Sequence, residues 1–395
     1  MTETIHVDSS PGEVRIAVER DGALIDYALW RPGAPDGVGD LHRGRVVGVV
    51  PAMAGVFVAL DGAEGFLPDS EGGKGLTVGT VLGVRVIRAA QGHKGPRLTA
   101  RLSEAEHRVI GTGSAALVRR GPDPLHRLAE RYKRAEVLTA DTALAAALRP
   151  ALGARLRLSL DATLPDPVGA AVDALAEPVV ALANGARLSI WPTPALVAID
   201  IDAGAAAGDR KSGHEAINRA ILPALAAQIR LRNLSGAIVV DLAGLSARRR
   251  AALGPDLEHA LASDPLRPRF LGFTALGLAE IVRPRIHPPL HELAEGPLAA
   301  GLAALRAVLR EQAGPHGHGP AARSPMRGLP MPRLPVARWP VACWPVLRAA
   351  PSVVAALQAD PAALPDLVRR TGHNLIVRSD PSLPGCTWVL EYDHA

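Results

Sequence analysis

The sequence predicts a multi-domain protein of the α/β class. Its 395 residues exceed the size at which a single hydrophobic core stops growing, so two or three domains are expected. Short β-rich runs separated by glycine-rich turns occupy residues 40–102. Farther along, two apolar runs that end at Asp200 and Asp241 flank a helical segment. These patterns predict a small barrel and a strand, helix, strand unit in one chain.

Residues 13–30 predict the first β element. Apolar and polar residues alternate on both sides of Asp21-Gly22, and Asp-Gly between two such runs is a strong signal for a two-residue hairpin. The chain is therefore expected to begin with β structure.

Five β-rich runs then predict a small closed barrel of the oligonucleotide-binding type. The runs are GRVVGVV, GVFVAL, EGFLP, TVLGVRVIRA and PRLTARLS. Phe57 and Phe66 lie in two of them, and Lys94 and Arg97 lie at the last. Bases stack on aromatic rings while cations follow the phosphates, so this combination suits a single-stranded nucleic acid. The alternative for either phenylalanine is a place in the barrel core.

The clearest pattern is the strand, helix, strand unit. Strand ALVAID ends at Asp200, a helix is expected from about His214 to Arg232, and strand GAIVVD ends at Asp241. The apolar runs are typical of a sheet buried on both faces. Open α/β sheets place their ligands at the carboxyl ends of their strands, so the two aspartates are expected to converge if their strands are neighbours.

The two aspartates are candidate metal ligands. Two carboxylates on one face suit octahedral Mg²⁺ better than zinc, which prefers His or Cys, and Mn²⁺ accepts the same oxygen ligands. Such an ion polarises a phosphoryl oxygen and generates a hydroxide nucleophile. Asp202 shares the face of Asp200 by strand alternation, so it is a candidate to bind the ion or to orient Asp241. The alternative is that each aspartate only starts a turn.

The charge of the chain favours a polyanionic partner. The net charge is +5 and the isoelectric point is near 9.7. Arg230 and Arg232, in the predicted helix, are candidate phosphate contacts. The arginines at 248–250 follow the second strand and are either phosphate contacts or part of a solvated surface.

Cysteine usage and hydropathy argue against a secreted or membrane protein. Cys343 and Cys386 have no partners at C-x-x-C spacing, so neither a disulfide framework nor a zinc site is expected. No apolar run approaches the roughly 20 residues that span a bilayer, and the polar N-terminus does not resemble a signal peptide. We expect a cytoplasmic protein without membrane contact.

These segments, in order, resemble the bacterial ribonuclease E/G endoribonucleases. The family's N-terminal strands and S1 RNA-binding barrel are matched by RIAVERDGALIDYALWRPG, LHRGRVVGVVPAMAGVFVALDGAEGFLPDS and HKGPRLTARLS. Its DNase-I-like catalytic subdomain is matched by ALVAIDIDAG, QIRLRNLSGAIVVDL and TALGLAEIVRPR. The resemblance implies an enzyme that cuts single-stranded, typically A/U-rich RNA, leaving a 5′-phosphate on the downstream fragment, in rRNA maturation and mRNA decay.

The resemblance also implies roles for individual residues. Asp200 and Asp241 take the positions of the family's two magnesium ligands, and Asn218 falls where the family's helix carries an asparagine. The positions at which the S1 barrel contacts RNA are occupied by Phe57, Phe66 and Lys94.

The sequence departs from the family pattern at three places. Asp202 stands where the family has asparagine, which adds charge beside the ion. The Arg-Thr pair that senses a 5′-monophosphate is matched by Arg119 alone, because Arg120 replaces the threonine, and the segment that follows is shorter. Only Cys343 lies near the family's zinc-link cysteine pair, so an oligomer is left open but a zinc-linked dimer is not supported.

The resemblance implies a specific organisation. An RNase-H-like subdomain carries an inserted S1 (OB-type) β-barrel and is followed by a DNase-I-like α/β catalytic subdomain and a small C-terminal α/β unit. The expected boundaries are 1–38 and 135–190 for the two parts of the RNase-H-like subdomain, 39–103 for the barrel, 104–134 for a reduced 5′-sensor-like segment, 191–292 for the catalytic subdomain, 293–340 for a helix and Pro/Gly-rich linker, and 341–395 for the C-terminal unit.

The expected function is metal-dependent hydrolysis of internal phosphodiester bonds in single-stranded RNA. One alternative is a non-catalytic RNA-binding protein derived from such an enzyme. Another is a DNA-directed or general phosphodiesterase, because the 2′-hydroxyl alone distinguishes the two backbones. The sequence leaves open the natural RNA, the cleavage preference and the role of the C-terminal unit.

Overall fold

The computed structural model describes residues 2–92, 94–159, 164–182, 185–202, 211–242, 244–312 and 344–392, without the side chains of 211–214, 247, 311, 312 and 392. Most of the predicted Pro/Gly-rich linker lies outside the described residues, as does Cys343. The glycine-rich loop at 203–210 does so as well.

The chain forms twenty strands and eleven helices within the described residues. The strands are β1 Glu3–Ser10, β2 Glu13–Arg20, β3 Ala23–Trp30, β4 Leu41–Val50, β5 Gly55–Ala59, β6 Glu64–Pro68, β7 Val81–Arg88, β8 Arg97–Thr99, β9 Ala116–Arg119, β10 Glu136–Thr139, β11 Leu156–Leu158, β12 Val179–Ala181, β13 Arg187–Pro192, β14 Val197–Asp202, β15 Gly236–Asp241, β16 Arg269–Phe273, β17 Ala279–Arg283, β18 Pro345–Ala349, β19 Ile376–Ser379 and β20 Trp388–Tyr392. The helices are α1 Glu104–Ile110, α2 Pro124–Arg131, α3 Thr142–Leu152, α4 Asp166–Asp173, α5 Lys211–Leu231, α6 Ala247–Ala252, α7 Gly254–Leu261, α8 Leu290–Ala294, α9 Gly296–Gln312, α10 Pro351–Ala359 and α11 Ala363–Thr371.

The first sheet takes strands from both sides of the barrel in the chain. Its order is β11-β10-β1-β2-β3, with β1 parallel to β10 and antiparallel to β2. The predicted hairpin is present, since Arg20 pairs with Ala23 across the turn at Asp21-Gly22. Strand β1 is an addition to the predicted elements. Its Ile5 and Val7 are buried in the core beneath α2 and α3, so the first strand is central to the sheet.

The five predicted barrel strands form a closed barrel. Their hydrogen-bonded order is β5-β6-β8-β7-β4, and β5 pairs with β4 to close the ring. The buried interior consists of valine and leucine side chains. Strand β9 extends the barrel along β4. The architecture is therefore that of an S1-like or OB-like domain.

A third sheet carries both candidate metal ligands. Its order is β12-β13-β14-β15-β17-β16, with β14 and β15 parallel and their neighbours antiparallel. Helices α5 and α7 pack on one face, over a core that includes Ile199, Ile201, Ile238 and Val240. The residues of β13, β14, β15 and β17 that alternate with this core are exposed or half-buried. We call their surface the open face.

The expectation that this sheet is buried on both faces is therefore wrong. The two apolar runs appear continuous only because the open face carries small residues between its charged ones, such as Ala198 and Ala237. The burial pattern of β14 alternates strictly, with Ile199 and Ile201 buried and Asp200 exposed between them. Period-two alternation of this kind is the pattern of a sheet covered on one side.

The C-terminal unit is a small sheet of order β19-β18-β20 covered by helices. Helix α9 shares its core with α10 and α11, so this helix belongs to the C-terminal unit rather than to the linker. The unit is attached to the first sheet, because Arg370 donates to Asp141 at 2.5 Å and to Ser9 Oγ at 2.7 Å.

The barrel is attached to the third sheet beyond the end of β17, a strand of that sheet. The backbone N–H of Ala89 donates to the carbonyl of Ile286 at 2.9 Å, just after β17 ends. Among the described residues, none of the helices combines the length and apolar character needed to cross a bilayer.

Candidate active site

Asp200 and Asp241 are direct lateral partners on adjacent parallel strands. The register pairs Ala198 with Val239 and Asp200 with Asp241 across β14 and β15. Both aspartates are exposed on the open face, whereas the residues before them, Ile199 and Val240, are buried. The convergence predicted from the two strand ends is what the register produces. Opposite residues in adjacent strands have Cβ atoms about 4.5–5.5 Å apart, so the two carboxylates share one small region.

The carboxylates repel one another. The pKa of Asp200 is raised by its partial removal from water and, in addition, by the negative charges of Asp241 and Asp202. Like charges held on a sheet face destabilise the fold unless a cation compensates them. The site is therefore built to attract a cation.

Asp202 lies one step beyond Asp200 on the same strand face. Its carboxylate accepts a hydrogen bond from Arg187 Nη2 at 3.1 Å, and the two residues are lateral partners across β13 and β14. Arg187 thus draws Asp202 towards β13, away from Asp241. Within the described residues, no group of three or more His, Cys, Asp or Glu side chains is arranged to hold a metal. The two carboxylates that the register places side by side are those of Asp200 and Asp241.

The side chain of Arg250, in α6, lies beside Asp241. Its Nη2 lies 3.8 Å from Asp241 Oδ1, and the side chain is largely buried. Its path depends on Gly277, because a Cβ at that position would lie 1.8 Å from Arg250 Nη1. Gly277 also has φ +85°, which disfavours other residues there. The guanidinium is therefore held beside the carboxylates by the backbone of the β16–β17 turn.

Glu280 also faces the open side of the sheet. It is the lateral partner of Val239, one position before Asp241 on that face, and it is half-buried. This carboxylate adds to the negative charge near the aspartate pair.

The barrel carries a row of four lateral partners across four strands. Phe57 pairs with Phe66, Phe66 with Arg97, and Arg97 with Arg88. The two rings meet edge to face with centroids 5.6 Å apart, and all four side chains are half-buried. The phenylalanines therefore lie outside the barrel core, next to two cations. We call these four residues the barrel row.

The cations of the barrel row extend towards the third sheet. Burial lowers the pKa of Arg88, and the positive charges of Arg97 and Arg285 lower it further. Arg285 follows β17 and is paired with Glu292 at 2.6 Å. Arg88 and Arg97 have no ion pair with a carboxylate in the described part of the chain. Adjacent uncompensated cations are suited to an anionic ligand.

Two other residues predicted to contact RNA, Lys94 and Arg119, are exposed. Lys94 is exposed in the turn between β7 and β8, where it pairs with Gln91. Arg119 is exposed at the end of β9, and its neighbour Arg120 is bound to Asp40 at 2.6 Å. Arg119 therefore lies on the barrel, apart from the aspartates.

The predicted site residues of helix α5 lie away from the aspartate pair. Asn218 is fully buried, within the helix that covers the opposite face of the sheet. Arg232 is 6% exposed and donates to Gln228 at 2.9 Å and to the carbonyl of Ala174 at 3.2 Å. Burial lowers its pKa to about 10. Arg230 donates to the carbonyl of Ile25 at 2.9 Å and joins the third sheet to the first.

The structure separates the aspartate pair from the predicted RNA contacts of the barrel. The aspartates lie at the carboxyl ends of β14 and β15, whereas the barrel is attached near Arg283, the lateral partner of Gly236 at the start of β15. Asp241 lies five positions beyond Gly236 in β15, which is about 17 Å along a strand. From the sequence, Arg250 is either a phosphate contact or part of a solvated surface, and Arg88 is not a candidate. The arginine run was a visible signal for the first, but the second depends on cross-strand register.

Comparison with known proteins finds a match in the part of the chain that contains Asp200 and Asp241. Residues 165–286, which include β13–β17, match the model of the Ribonuclease E/G family. Ribonuclease G of Escherichia coli (strain K12) is 35% identical over 135 residues, which are 33% of this chain and 27% of the relative. Ribonuclease E of Nostoc sp. is 34% identical over 131 residues, or 32% and 19% of the two chains. Ribonuclease G of Salmonella typhimurium is 38% identical over 110 residues, or 27% and 22%.

The matched stretch spans only about a fifth to a quarter of these curated relatives. Residues 165–286 contain β14 and β15, which carry Asp200 and Asp241, and the relatives carry the names of two ribonucleases. Over this part of its length, the chain is similar to the ribonuclease E/G family.

Proposed function

We propose that the chain is an endoribonuclease that hydrolyses internal phosphodiester bonds of single-stranded RNA, in the manner of rRNA processing or mRNA decay. The observation that carries the proposal is the lateral pairing of Asp200 with Asp241 on an open sheet face, inside the stretch matched by the family model. An exposed face can receive an extended strand of RNA, and the paired carboxylates lie at its centre.

The residues at this position fit a divalent cation. The two carboxylates are hard oxygen donors, and partial burial together with the negative charges of Asp241 and Asp202 raises the pKa of Asp200. Asp200 and Asp241 would hold the ion, with Mg²⁺ as the proposed species and Mn²⁺ as a substitute. When bound, it would polarise a phosphoryl oxygen and lower the pKa of a water. The descriptions of the relatives name no metal, so its identity is part of the proposal.

Two neighbouring side chains complete the proposed site. Arg250, held beside Asp241, is placed to bind a non-bridging phosphate oxygen and to stabilise the negative charge that develops on it. Asp202, fixed by Arg187, is proposed to orient the substrate-side water or the ion's outer ligands rather than to bind the ion directly. The roles expected from the sequence were to bind the ion or to orient Asp241, so the proposed role of Asp202 differs from both.

The barrel is proposed to hold the RNA strand. Phe57 and Phe66 offer ring faces to bases, while Arg97, Arg88 and the exposed Lys94 follow the phosphates. The barrel is joined to the third sheet at Ile286, which follows β17, so we propose that one RNA strand contacts both the barrel and the aspartates.

The arrangement of strands supports the proposed subdomains. The first sheet, interrupted in sequence by the barrel, is assigned as the RNase-H-like part, and the third sheet as the DNase-I-like catalytic part. We extend the proposal to single-stranded RNA as the partner and to a cytoplasmic location, on the basis of the similarity of residues 165–286 to the ribonuclease E/G family. Sensing of a 5′-monophosphate by Arg119 is not part of the proposal, because Arg120 is bound to Asp40.

A cleavage assay tests the proposed function. Fluorescein-labelled, A/U-rich single-stranded RNA is incubated with the purified protein and Mg²⁺, beside an EDTA sample and the Asp241→Ala variant. Asp256→Asn is the matched control, since Asp256 is a half-exposed carboxylate on α7, which packs against the opposite face of the sheet. Cleavage should require Mg²⁺ and Asp241 but not Asp256.

Each other outcome selects a different function. RNA that is bound but stays intact would favour a non-catalytic RNA-binding protein. Equal cleavage of a DNA oligonucleotide of the same sequence would favour a general phosphodiesterase. Cleavage that survives in Asp241→Ala would contradict the assignment of the site.

A further inference from the structure

Trp191 lies on the open face, one strand away from the aspartate pair. It is 42% exposed, and the alternation of β13 puts it on the same face as Arg187 and Ser189. Ser189 is the lateral partner of Asp200, and Trp191 is the lateral partner of Ala198. An indole ring is thus displayed beside the proposed catalytic centre.

This position differs from those of the other tryptophans in the described part of the chain. Trp30 packs against the core of the first sheet, and Trp344 and Trp388 pack against the core of the C-terminal unit. Aromatic residues make up only 3% of the sequence. Exposure of a large apolar ring has a free-energy cost, which a binding role offsets.

We infer that Trp191 stacks on a base of the bound RNA and positions the adjacent phosphate over Asp200 and Asp241. The inference rests on the proposed function and adds a substrate-positioning residue to it. A stacking surface accepts any base, because every base has a π-face, so Trp191 fixes the position of the strand without selecting its sequence.

The register supplies the distance that such a role requires. Diagonal neighbours on adjacent strands are about 7–8 Å apart, which places the Cα atoms of Trp191 and Asp200 at that separation. This is about one nucleotide of extended strand. The lateral partner Ala198 carries only a methyl group, so Ala198 itself does not fill the space between the indole and the aspartates.

The direction along the sheet agrees with the path from the barrel. Trp191 lies towards the start of β14, and Asp200 lies towards its end. The barrel is attached at the same end of the sheet as the start of β15, which runs parallel to β14. A strand that leaves the barrel and crosses the open face therefore reaches the level of Trp191 before that of the aspartates.

The test compares Trp191→Ala and Trp191→Phe with Ile376→Ala, a control that truncates a 51% exposed side chain on the C-terminal sheet. Binding of a fluorescein-labelled single-stranded RNA is measured by anisotropy in EDTA, where metal-dependent cleavage is blocked. Single-turnover cleavage is then measured with Mg²⁺, and the melting temperature of each variant is recorded. A second RNA carries 2-aminopurine, whose fluorescence is quenched by stacking.

We expect Trp191→Ala to weaken RNA binding or raise KM by about 5- to 150-fold, the range for loss of one base stacked on one ring. Trp191→Phe should restore most of the loss, Ile376→Ala should have no effect, and melting temperatures should stay the same. Quenching of 2-aminopurine should disappear in Trp191→Ala.

Wild-type binding and cleavage in Trp191→Ala would overturn the inference and leave the proposed function intact. Equal losses in the Ala and Phe variants with a lower melting temperature would assign Trp191 a purely structural role, which also overturns it. RNA that the wild-type protein neither binds nor cuts would overturn the proposed function and the inference together.

Discussion

The guanidinium of Arg250 occupies the space that a side chain at position 277 would fill. Gly277 has φ +85°, and a Cβ built on it would lie 1.8 Å from Arg250 Nη1. The same guanidinium lies 3.8 Å from Asp241 Oδ1. A buried glycine in the turn between β16 and β17 thus controls where a cation stands relative to a proposed metal ligand.

Gly277→Ala should therefore impair catalysis by displacing Arg250. We expect kcat to fall by about 10²-fold, as when one stabilising donor is lost, with little change in RNA affinity. The matched control is Gly236→Ala, because Gly236 has φ +83° but no atom within 4 Å of its would-be Cβ. Single-turnover kinetics of the two variants separate displacement of Arg250 from backbone strain. Equal losses in both would show that strain alone is responsible.

Arg250→Lys provides a second test of the same residue. Lysine keeps the charge but loses the planar guanidinium, so cleavage should fall by about tenfold or more while melting temperature changes little. Arg250→Ala should lose still more activity. Unchanged kcat in the lysine variant would mean that charge near Asp241 is sufficient.

Asp200→Asn should stabilise the metal-free protein. Asp200 carries a carboxylate whose raised pKa reflects partial burial and repulsion by Asp241 and Asp202. Removing that charge should raise the melting temperature in EDTA by about 1–3 °C. Mg²⁺ should stabilise the wild-type protein but not the variant, because only the wild type keeps both ligands. Calorimetry with and without Mg²⁺ checks this, and equal Mg²⁺ effects in both proteins would place the ion elsewhere.

The barrel row should divide into electrostatic and stacking contributions to RNA binding. Arg88→Ala and Arg97→Ala should each reduce the slope of log K against log salt by about 0.7, the value for one phosphate contact on a single strand. Phe57→Ala and Phe66→Ala should weaken binding at every salt concentration without changing the slope. Titrations at several salt concentrations give both quantities. A slope unchanged in Arg88→Ala would remove that residue from the RNA path.

Arg232→Met should affect stability rather than RNA binding. Arg232 is 6% exposed and hydrogen-bonded within the protein, so a phosphate cannot reach it without displacement of the helix. The variant should bind and cut RNA like the wild type after correction for the folded fraction. A selective loss of RNA affinity would reinstate the sequence-based expectation for this residue.

The sequence predicted the elements that have strong local signals. Asp-Gly at the first hairpin, the five barrel strands and the two strands that end at Asp200 and Asp241 are all present. These segments are recognisable because turn residues and alternation act over a few neighbours. Strand β1 was missed because its polar residues concealed Ile5 and Val7, whose burial depends on partners far along the chain.

The sequence could not show on which face of the third sheet helix α5 packs. Arg232 and Asn218 lie close in sequence to the aspartate strands, but α5 packs on the opposite face of the sheet, so proximity along the chain did not become proximity in space. Trp191 and Arg88 became candidates only through register, since each owes its position to a lateral partner on another strand. Position 202 shows the same limit, because its engagement by Arg187 depends on cross-strand pairing.

The most direct test of the paired-aspartate site measures metal binding and cleavage in the same samples. Mn²⁺ is titrated into the wild-type protein, Asp200→Asn, Asp241→Asn and the control Asp256→Asn, with free Mn²⁺ followed by electron paramagnetic resonance and RNA cleavage followed in parallel. We expect a Mn²⁺ site in the wild type and in Asp256→Asn. This site should be lost, together with cleavage, in Asp200→Asn and in Asp241→Asn. Undiminished Mn²⁺ binding and cleavage in Asp200→Asn or Asp241→Asn would contradict this expectation.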